Sequence, residues 1–524
     1  MKLQSKKLIE WTRQDYTRTV AWFALHTAIF ILGFFAILYV NAGFNWGALV
    51  TFIQGEGAVK NLIYLVMATC FITVGIYFYF YNENRDFLLK TINVNLIFLI
   101  LEISVLVMFL VGKAWVYLRP FALCALLTLL LIDKRTAIFM NTISCFFMFM
   151  IDTFLSFQVL ESHVLYSSLL VGFLTSILAV YLVQSTTSRL AVFLRGFLIA
   201  IPVVVCIVCL EFGNVLKNPF PYLIAGFTSG MLSVVLMMAI LPVLEKVFNR
   251  VTAYRLTELI DRKAPLIRKL QEKALGTFNH CVVVSNLVEA CAAAIGEDPL
   301  LARACAFYHD MGKLTCPEYF TENQLGRPNP HNEIPPELSV SIIHSHAREG
   351  AELIKKHHLP QVLADVALQH HGTMPVSYFF IKACKYSDSR VEMKNYRYPG
   401  PKPQTKIAAI LMIADACEAK SRSLKELSHK SVDAAVRSII EERIKFDQFD
   451  ECDLTTQDIE IIRTCITDAL AGVHHSRVEY PKTDLTRAYN EEKKEGEKAN
   501  AEEDVEEEQT PEMPTKKGKE NAKK

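Results

Sequence analysis

The chain has 524 residues, of which 52% are hydrophobic, and its 55 basic and 54 acidic side chains give a net charge of +1. This balance excludes a strongly basic chain, so no nucleic-acid partner is predicted. The residue types are unevenly distributed, because apolar runs dominate up to about residue 247 while twelve of the fourteen histidines lie beyond it. The first part is therefore predicted to lie in lipid and the second in water.

Eight apolar runs have the length of a membrane-spanning helix. Runs of about 18 to 25 apolar residues cross a bilayer as helices, because lipid offers no partners to backbone N–H and C=O groups. The eight runs cover residues 20–40, 62–82, 91–111, 115–132, 136–158, 165–183, 191–211 and 222–245. The first run is too long for a removed signal peptide and lacks a small-residue cleavage site, so it is interpreted as an anchor.

The basic residues between these runs predict the orientation of the protein. Cytoplasmic loops of membrane proteins carry an excess of Lys and Arg. On one side of the membrane the predicted spans are flanked by Lys2, Lys6, Lys7, Arg13, Arg18, Arg85, Lys90, Lys134, Arg135, Arg189, Lys246, Arg250 and Arg255. On the other side they are flanked by Lys60, Lys113 and Lys217. We therefore predict a multi-pass protein of the cell (inner, cytoplasmic) membrane with both termini in the cytoplasm.

Three charged residues, Glu102, Arg119 and Asp152, fall within the predicted spans. Charges inside a membrane are costly, and they either pair with one another or line a path for ions or a ligand. Because there are so few of them, packing pairs are favoured over a transport path.

The second part of the chain is predicted to be helical throughout. Segments such as "KIAAILMIADACEAKSRSL" and "SVDAAVRSIIEERI" have apolar residues at three- and four-residue spacing, which is typical of amphipathic helices. The fold class is therefore all-α. The predicted divisions are 1–61 (N-terminus, first span and short external loop), 62–246 (seven-transmembrane region), 247–484 (soluble helical domain with an N-terminal linker helix) and 485–524 (disordered charged tail).

Histidine and aspartate residues recur at the ends of apolar helical stretches in the soluble domain. They are His280 in "GTFNHCVVV", His309 and Asp310 in "FYHDMGK", His344 and His346 in "IIHSHAREG", His370 and His371 in "LQHHGT", and Asp415 in "MIADACEA". Imidazole and carboxylate groups bind divalent ions such as Mn, Fe or Zn. A buried carboxylate without a partner costs several kcal/mol, and a shared metal site removes that cost.

Two other histidine pairs serve as internal controls. His357 and His358 follow two lysines and precede a Leu-Pro turn, which predicts an exposed helix end. His474 and His475 lie beside Arg477, which disfavours a metal but suits phosphate. We expect neither pair to bind a metal ion.

The order H, HD, H, HH, D resembles the HD superfamily of metal-dependent phosphohydrolases. The stretches "HDMGK", "ENQ", "NPH", "QHHGT", "RYPGPKPQTK", "QFDECDLT" and "HSRVEYP" together resemble the seven-transmembrane HD proteins, the PgpH-type cyclic-di-AMP phosphodiesterases. This resemblance implies that residues 247–484 are a cytoplasmic HD phosphohydrolase domain. Members of that family commonly carry a large extracytoplasmic domain after the first span, whereas here only residues 41–61 separate it from the second.

The resemblance also implies a set of site residues. The metal ligands would be His280, His309, Asp310, His346, His370, His371 and Asp415, with His346 favoured over His344 by the following Glu349 and Gly350. One of two divalent ions, Mn or Fe, would take His280, His309, Asp310 and Asp415, and the other His346, His370 and His371, with Asp310 bridging. Asp310 and Lys313 are the expected catalytic residues, and Lys313 would also contact a substrate phosphate.

The implied activity is hydrolysis of cyclic-di-AMP to pApA by a membrane enzyme, with homo-oligomer formation left open. Two alternatives remain at this point. In the first, the substrate is another cyclic dinucleotide or a nucleotide polyphosphate. In the second, the protein is a membrane receptor that binds nucleotide without turnover. Cyclic-di-GMP is disfavoured, because "HHGT" lacks the Gly-Tyr-Pro that follows the His pair in HD-GYP enzymes.

Overall fold

The computed structural model describes residues 11–496 except 56, 155–161, 187, 325, 387–389, 425, 427, 473–485 and 488. Within those residues the regular structure is helical, and the only β-type pairing is an isolated antiparallel bridge between Pro375 and Arg397. The all-α prediction is therefore confirmed.

The apolar part of the chain forms a bundle of helices. They are α1 (Arg13–Asn41), α2 (Trp46–Gln54), α3 (Ala58–Glu83), α4 (Arg85–Leu89), α5 (Thr91–Gly112), α6 (Leu123–Leu131), α7 (Lys134–Phe154), α8 (Ser162–Val183), α9 (Arg189–Leu210), α10 (Phe212–Lys217) and α11 (Pro219–Val247). In the described part of the chain seven are long and apolar enough to cross a membrane, namely α1, α3, α5, α7, α8, α9 and α11. These seven helices coincide with seven of the eight predicted spans.

The predicted span 115–132 has a different structure. It consists of a 3₁₀ turn, Val116–Leu118, followed by an irregular stretch and then the short helix α6. Pro120 lacks a backbone N–H and disfavours helical geometry at Arg119, so a continuous helix is interrupted there. The prediction of a single spanning helix is therefore wrong for this segment.

Contacts between helix ends nevertheless show that this segment crosses the bundle. At the start of α7, Arg135 pairs with Glu83 at the end of α3, with 2.6 Å between the charged atoms. At the opposite end of the bundle, Lys113 donates a 2.8 Å hydrogen bond to Asn41 at the end of α1. The chain therefore returns across the bundle between Lys113 and Arg135, although α6 has only nine residues.

The soluble domain begins at the bundle end where α1, α5 and α7 start. Arg250 follows α11 and donates a 2.6 Å hydrogen bond to Asn93 in the first turn of α5. The domain comprises α12 (Ala253–Leu259), α13 (Pro265–Lys273), α14 (Leu275–Ala294), α15 (Pro299–Tyr308), α16 (Pro336–Lys356), α17 (Gln361–Gln369), α18 (Ser377–Tyr386), α19 (Lys406–Ser421), α20 (His429–Lys445) and α21 (Thr456–Gly472). Its hydrophobic core is separate from that of the bundle and centres on α14, α15 and α19.

The charged C-terminal residues form a separate unit from Ala471 onward. Residues 486–487 and 489–496 are helical there, although the sequence predicts no structure after residue 485. Arg487 and Glu491 lie 3.2 Å apart, and charge pairs at this spacing stabilise exposed helices. The rest of the predicted disordered tail lies outside the described residues.

Candidate metal centre

The helix that precedes the His-Asp pair is fixed at both ends. At its start, the Asp298 side chain accepts hydrogen bonds from the backbone N–H groups of Leu300 and Leu301, which is a standard N-cap. At its end, His309 is the cap residue and Asp310 follows in a non-helical conformation. Both side chains are buried, with exposures of 0% and 1%. Helix α15 therefore ends in two polar side chains inside the domain.

A close backbone approach brings this helix end to α16. A Cβ atom at Gly312 would overlap the carbonyl oxygen of His346, so only glycine allows the two segments to meet at this distance. The approach places Asp310 Oδ1 3.4 Å from His346 Nε2. The glycine of the "HDMGK" stretch is thus required for the geometry of the site.

One group of ligand atoms surrounds Oδ2 of Asp310. His280 on α14 has its Nε2 atom 2.9 Å from Asp415 Oδ1 and 3.7 Å from Asp310 Oδ2. His309 Nε2 lies 3.1 Å from the same Asp310 oxygen and 3.9 Å from Asp415 Oδ1. Four of the predicted ligands therefore converge from α14, α15 and α19.

The second group lies on the other side of the Asp310 carboxylate. His346 Nε2 is 3.2 Å from His370 Nε2, and His370 Nε2 is 3.7 Å from Asp310 Oδ1. Ligand atoms of His346, His370 and His371 all lie within 4.8 Å of one another. The Asp310 carboxylate therefore lies between two groups of ligand atoms. Each group contains the residues that the resemblance assigns to one of the two metal ions.

Backbone carbonyl groups orient several of the imidazole rings. The Nδ1 atoms of His309 and His370 each lie 2.7 Å from a backbone oxygen three residues earlier, on Ala306 and Ala367. A carbonyl only accepts, so each Nδ1 carries a hydrogen, and the neutral ring offers the lone pair of Nε2 to a metal ion. That lone pair faces the site, which is the arrangement found in metal-binding histidines.

Glu418 is a functional residue that the sequence reasoning missed. Its Oε2 atom accepts a 2.7 Å hydrogen bond from His280 Nδ1, and Arg422 binds its Oε1 atom at 2.8 Å. A carboxylate on the outer nitrogen fixes the ring and increases its basicity as a ligand. The available signal was the position of Glu418 one helical turn after Asp415.

Glu322 was also missed. The Lys313 ammonium lies 2.8 Å from Asp310 Oδ2 and 2.8 Å from Glu322 Oε1. Thr277 donates a further 3.0 Å hydrogen bond to the same Glu322 oxygen. Lys313 is therefore held at the edge of the ligand cluster by two carboxylates, which places its charge beside Asp310.

The electrostatic environment differs between the two groups of ligands. Burial would raise the pKa of Asp310, but His309 and Lys313 hold it well below its usual value. Burial lowers the pKa of His370 to about 3, so this ring is neutral near pH 7. Burial also lowers the pKa of His280, but interactions with Asp415 and Glu418 outweigh it and raise the pKa to about 10. The metal-free ring is therefore protonated near pH 7 and would release a proton when a metal ion binds.

Unsatisfied atoms at the centre of the cluster show that these residues fit a metal ion. The Nε2 atoms of His280 and His309 and both carboxylate oxygens of Asp310 are buried without a hydrogen bond of acceptable geometry. Buried polar atoms of this kind are costly unless a ligand satisfies them. A mixed set of imidazole nitrogens and carboxylate oxygens suits divalent Mn, Fe or Zn. The cluster therefore has the composition and the unmet bonding capacity of a metal centre.

The remaining histidines of the domain lie elsewhere. The ring of His344 packs on Tyr398, with 4.5 Å between centroids, and it belongs to neither of the two ligand groups. His357 and His358 are exposed, as predicted for a helix end. His474 and His475 lie outside the described residues. Of the two histidines in "IIHSHAREG", His346 is the one that joins the cluster.

A cavity of about 350 Å³ opens beside the second ligand group. Lys313, His346 and His371 form the wall nearest the cluster. Tyr398, which also lines the cavity, stacks on His371 with 4.4 Å between ring centroids. A volume of this size accommodates part of a small-molecule ligand with its polar groups directed at the metal ligands.

Comparison with known proteins places this architecture in a family. Residues 59–252 match the family described as a 7TM receptor with intracellular HD hydrolase, and residues 277–420 match the HD domain family. The bundle thus matches the membrane part of this seven-transmembrane family, and the soluble domain matches the HD domain family. The second match contains all seven converging ligands, and the first contains the bundle from α3 to α11.

Relatives of this chain include two proteins named cyclic-di-AMP phosphodiesterase PgpH. The chain is 41% identical to that of Listeria monocytogenes over 58% of its own length and 43% of the relative. It is 34% identical to that of Bacillus subtilis over 80% of its own length and 59% of the relative. The chain thus spans about half the length of these relatives. The crystal structure of the L. monocytogenes PgpH HD domain in complex with cyclic-di-AMP is 46% identical, covering 41% of this chain and 100% of that domain, with a TM-score of 0.40.

Proposed function

We propose that this protein is a membrane-bound, metal-dependent phosphodiesterase that hydrolyses cyclic-di-AMP to pApA. The observation that carries the proposal is the Asp310 carboxylate, which stands between two groups of buried metal ligands beside a cavity. Relatives named cyclic-di-AMP phosphodiesterase support the substrate. In this way a second messenger would be degraded at the membrane surface.

Two divalent ions, Mn or Fe, would be held by the two ligand groups. His280, His309 and Asp415 would hold one ion, His346, His370 and His371 the other, and Asp310 would contact both. Ions in such paired centres activate water and neutralise the charge that develops on phosphate oxygens. The protein contributes rings already oriented by the backbone, so little reorganisation is needed when the ligands bind.

Lys313 would act on the phosphate rather than on the metal ions. Its ammonium group reaches both Asp310 and the cavity wall. A phosphate oxygen in the cavity would therefore receive a charge-assisted hydrogen bond, while Glu322 keeps the lysine in position. This contact would orient the scissile phosphodiester towards the ligand cluster.

Turnover by the purified full-length protein in detergent tests the proposal. With Mn or Fe supplied, cyclic-di-AMP should be converted completely to pApA, and EDTA should stop the reaction. Cyclic-di-GMP and a nucleotide polyphosphate serve as competing substrates. Tight binding of cyclic-di-AMP without product after long incubation would instead support a receptor, and faster turnover of another substrate would change the assigned specificity.

We also propose that the HD domain and the N-terminus lie in the cytoplasm. The basic residues Arg135 and Arg250 support this orientation, since both lie at the bundle end that carries the soluble domain. A reporter active only outside the membrane should stay silent when fused after residue 250. It should become active when inserted between residues 41 and 61, and the opposite pattern would reverse the orientation.

A further inference from the structure

The side chain of Tyr398 lies between the cavity and the second ligand group. Its ring stacks on His371 with 4.4 Å between centroids, and the edge of the ring meets His346 at 6.1 Å. His344 packs on the same ring at 4.5 Å. Tyr398 also lines the cavity, together with Lys313. A phenol ring is therefore held against two of the candidate metal ligands at the cavity wall.

The backbone around Tyr398 is fixed as well. The preceding residue, Arg397, pairs with Pro375 in the isolated antiparallel bridge. The backbone N–H of Tyr398 itself donates a 3.0 Å hydrogen bond to the carbonyl of Met374. Because both the backbone and the ring are held, the hydroxyl group is in position before any ligand binds, as a preorganised donor requires.

The hydroxyl group of Tyr398 is free and accessible. In the described part of the chain it has no hydrogen-bond partner, and it is not one of the buried atoms left without one, so it keeps accessible surface in the half-buried side chain. Tyr396, two residues earlier, behaves differently, because its hydroxyl donates a 2.6 Å hydrogen bond to Glu337. The Tyr398 hydroxyl is thus a donor that a ligand in the cavity can reach.

The charges of the ligand cluster act on this hydroxyl group. Burial raises the pKa of Tyr398, the Lys313 charge acts against this increase, and Asp415 and Asp310 act with it. Such contributions fall off with distance, so the hydroxyl lies near these three groups. A phenol is protonated near pH 7 even at its usual pKa, so the group is a neutral donor. It therefore lies where the proposed function places the scissile phosphate.

We propose that Tyr398 is a further catalytic residue, whose hydroxyl group donates a hydrogen bond to a non-bridging oxygen of the scissile phosphate. The inference rests on the proposed function and adds to it a second donor beside Lys313. The lysine supplies positive charge, whereas the phenol supplies a directed bond from a rigid ring. Negative charge develops on the phosphate oxygens during the displacement, so a donor already fixed there stabilises the transition state.

Tyr398→Phe tests this assignment in the metal-loaded, full-length protein, because it removes the donor and keeps the ring. For cyclic-di-AMP, kcat/KM should fall about 10- to 150-fold, the range for a hydrogen bond to a charged group. Two diastereomeric analogues, with sulfur at one or the other non-bridging position, then identify the atom that accepts the bond. Sulfur accepts hydrogen bonds weakly, so for one diastereomer the substitution should cost no more than about threefold. For the other diastereomer the full loss should remain.

Two controls separate this contact from a structural role of the ring. Titration of the metal-free protein with Mn should give the native affinity in Tyr398→Phe, since the ring that stacks on His371 is retained. Weaker Mn binding would overturn the inference and assign Tyr398 to the support of His371. Tyr386→Phe is the matched variant, because this tyrosine at the end of α18 is 79% exposed. It should leave kcat/KM unchanged for all three substrates.

The outcomes also distinguish this inference from the proposed function. Native turnover combined with no loss in Tyr398→Phe, or with an equal loss for all three substrates, would overturn the inference alone. If the native protein binds cyclic-di-AMP without turnover, the proposed function fails. A dissociation constant about tenfold weaker in Tyr398→Phe would then still support the phosphate contact, and an unchanged one would overturn it. Failure of the native protein both to bind and to hydrolyse cyclic-di-AMP would overturn both.

Discussion

Buried charges occur in both the membrane bundle and the HD domain, but they are satisfied differently. In the bundle, Arg119 donates hydrogen bonds to both carboxylate oxygens of Asp152, at 2.5 Å and 2.8 Å, and a third to Ser168 at 2.8 Å. In the HD domain, neither carboxylate oxygen of Asp310 has a hydrogen bond of acceptable geometry, although the Lys313 ammonium lies 2.8 Å from Oδ2. The Asp152 carboxylate is thus paired within the protein, with only Nε of Arg119 left without a partner, and this indicates a structural role. The four unsatisfied nitrogen and oxygen atoms at the centre of the ligand cluster instead indicate a ligand.

A second pair in the bundle follows the structural pattern. Glu102 lies 2.9 Å from Nδ1 of His26, and the other ring nitrogen lies 3.2 Å from Asn95. The charged residues within the predicted spans are therefore partnered by neighbouring helices, which agrees with the packing-pair interpretation. None of the candidate metal groups in the described part of the chain lies in the bundle.

The largest expected effect comes from the carboxylate between the two ligand groups. Asp310→Asn preserves the shape of the side chain but removes its charge, so metal content should fall and hydrolysis should decrease on the order of 1,000-fold. Elemental analysis and the pApA assay measure the two quantities. His357→Ala is the matched control, because that ring is exposed on the same domain. Equal losses in the two variants would show that Asp310 has no special role.

Breaking the Arg119–Asp152 pair in the bundle should lower the stability of the protein and leave its metal content unchanged. Arg119→Met leaves the Asp152 charge buried, which should lower the free energy of unfolding by about 3–5 kcal/mol. Thermal unfolding in detergent micelles measures this change. Arg135→Met breaks the exposed pair with Glu83 and should cost no more than about 1 kcal/mol.

The double variant Arg119→Met/Asp152→Leu sharpens the comparison between the two regions. It removes both charges and should recover much of the lost stability, because the desolvation cost disappears with them. Metal content should match the native protein in all three variants. A loss of bound metal in Arg119→Met would contradict the purely structural role of the pair.

Loss of the Lys313 charge should have a smaller effect than loss of a metal ligand. Lys313→Ala removes a charge-assisted contact worth roughly 1.5 to 3 kcal/mol, so kcat/KM should fall roughly 10- to 150-fold. Metal content should change little, since Lys313 is not a ligand. Glu322→Gln weakens the positioning of the same lysine and should produce part of the loss. Full activity in Lys313→Ala would show that the lysine only pairs with Asp310 and Glu322 and does not contact the phosphate.

The helices and the candidate ligand residues that cluster were largely predictable from the sequence, because both depend on local patterns. Apolar run length predicted eight spanning helices, of which seven are long helices in the structure, and histidines after apolar stretches indicated the candidate ligands. The apolar composition of residues 115–132 suggested one spanning helix, but Pro120 interrupts it. The partners Glu418 and Glu322 could not be deduced, because their roles depend on which helices pack together. Glu322 belongs to a short turn between α15 and α16, where no periodic pattern exists.

The smallest of these expected effects concerns the carboxylate behind His280. Glu418→Gln should lower metal affinity roughly 10- to 100-fold, because the outer hydrogen bond of a metal-binding histidine fixes the ring and increases its basicity. Titration of the metal-free protein with Mn measures the affinity directly and does not depend on turnover. Arg422→Ala is the control, since it removes a group that touches only the other oxygen of Glu418 and leaves the bond to His280. Its effect should be several-fold smaller. If the two variants bind Mn with the same affinity as the native protein, Glu418 serves the packing of α14 against α19 and not the metal centre.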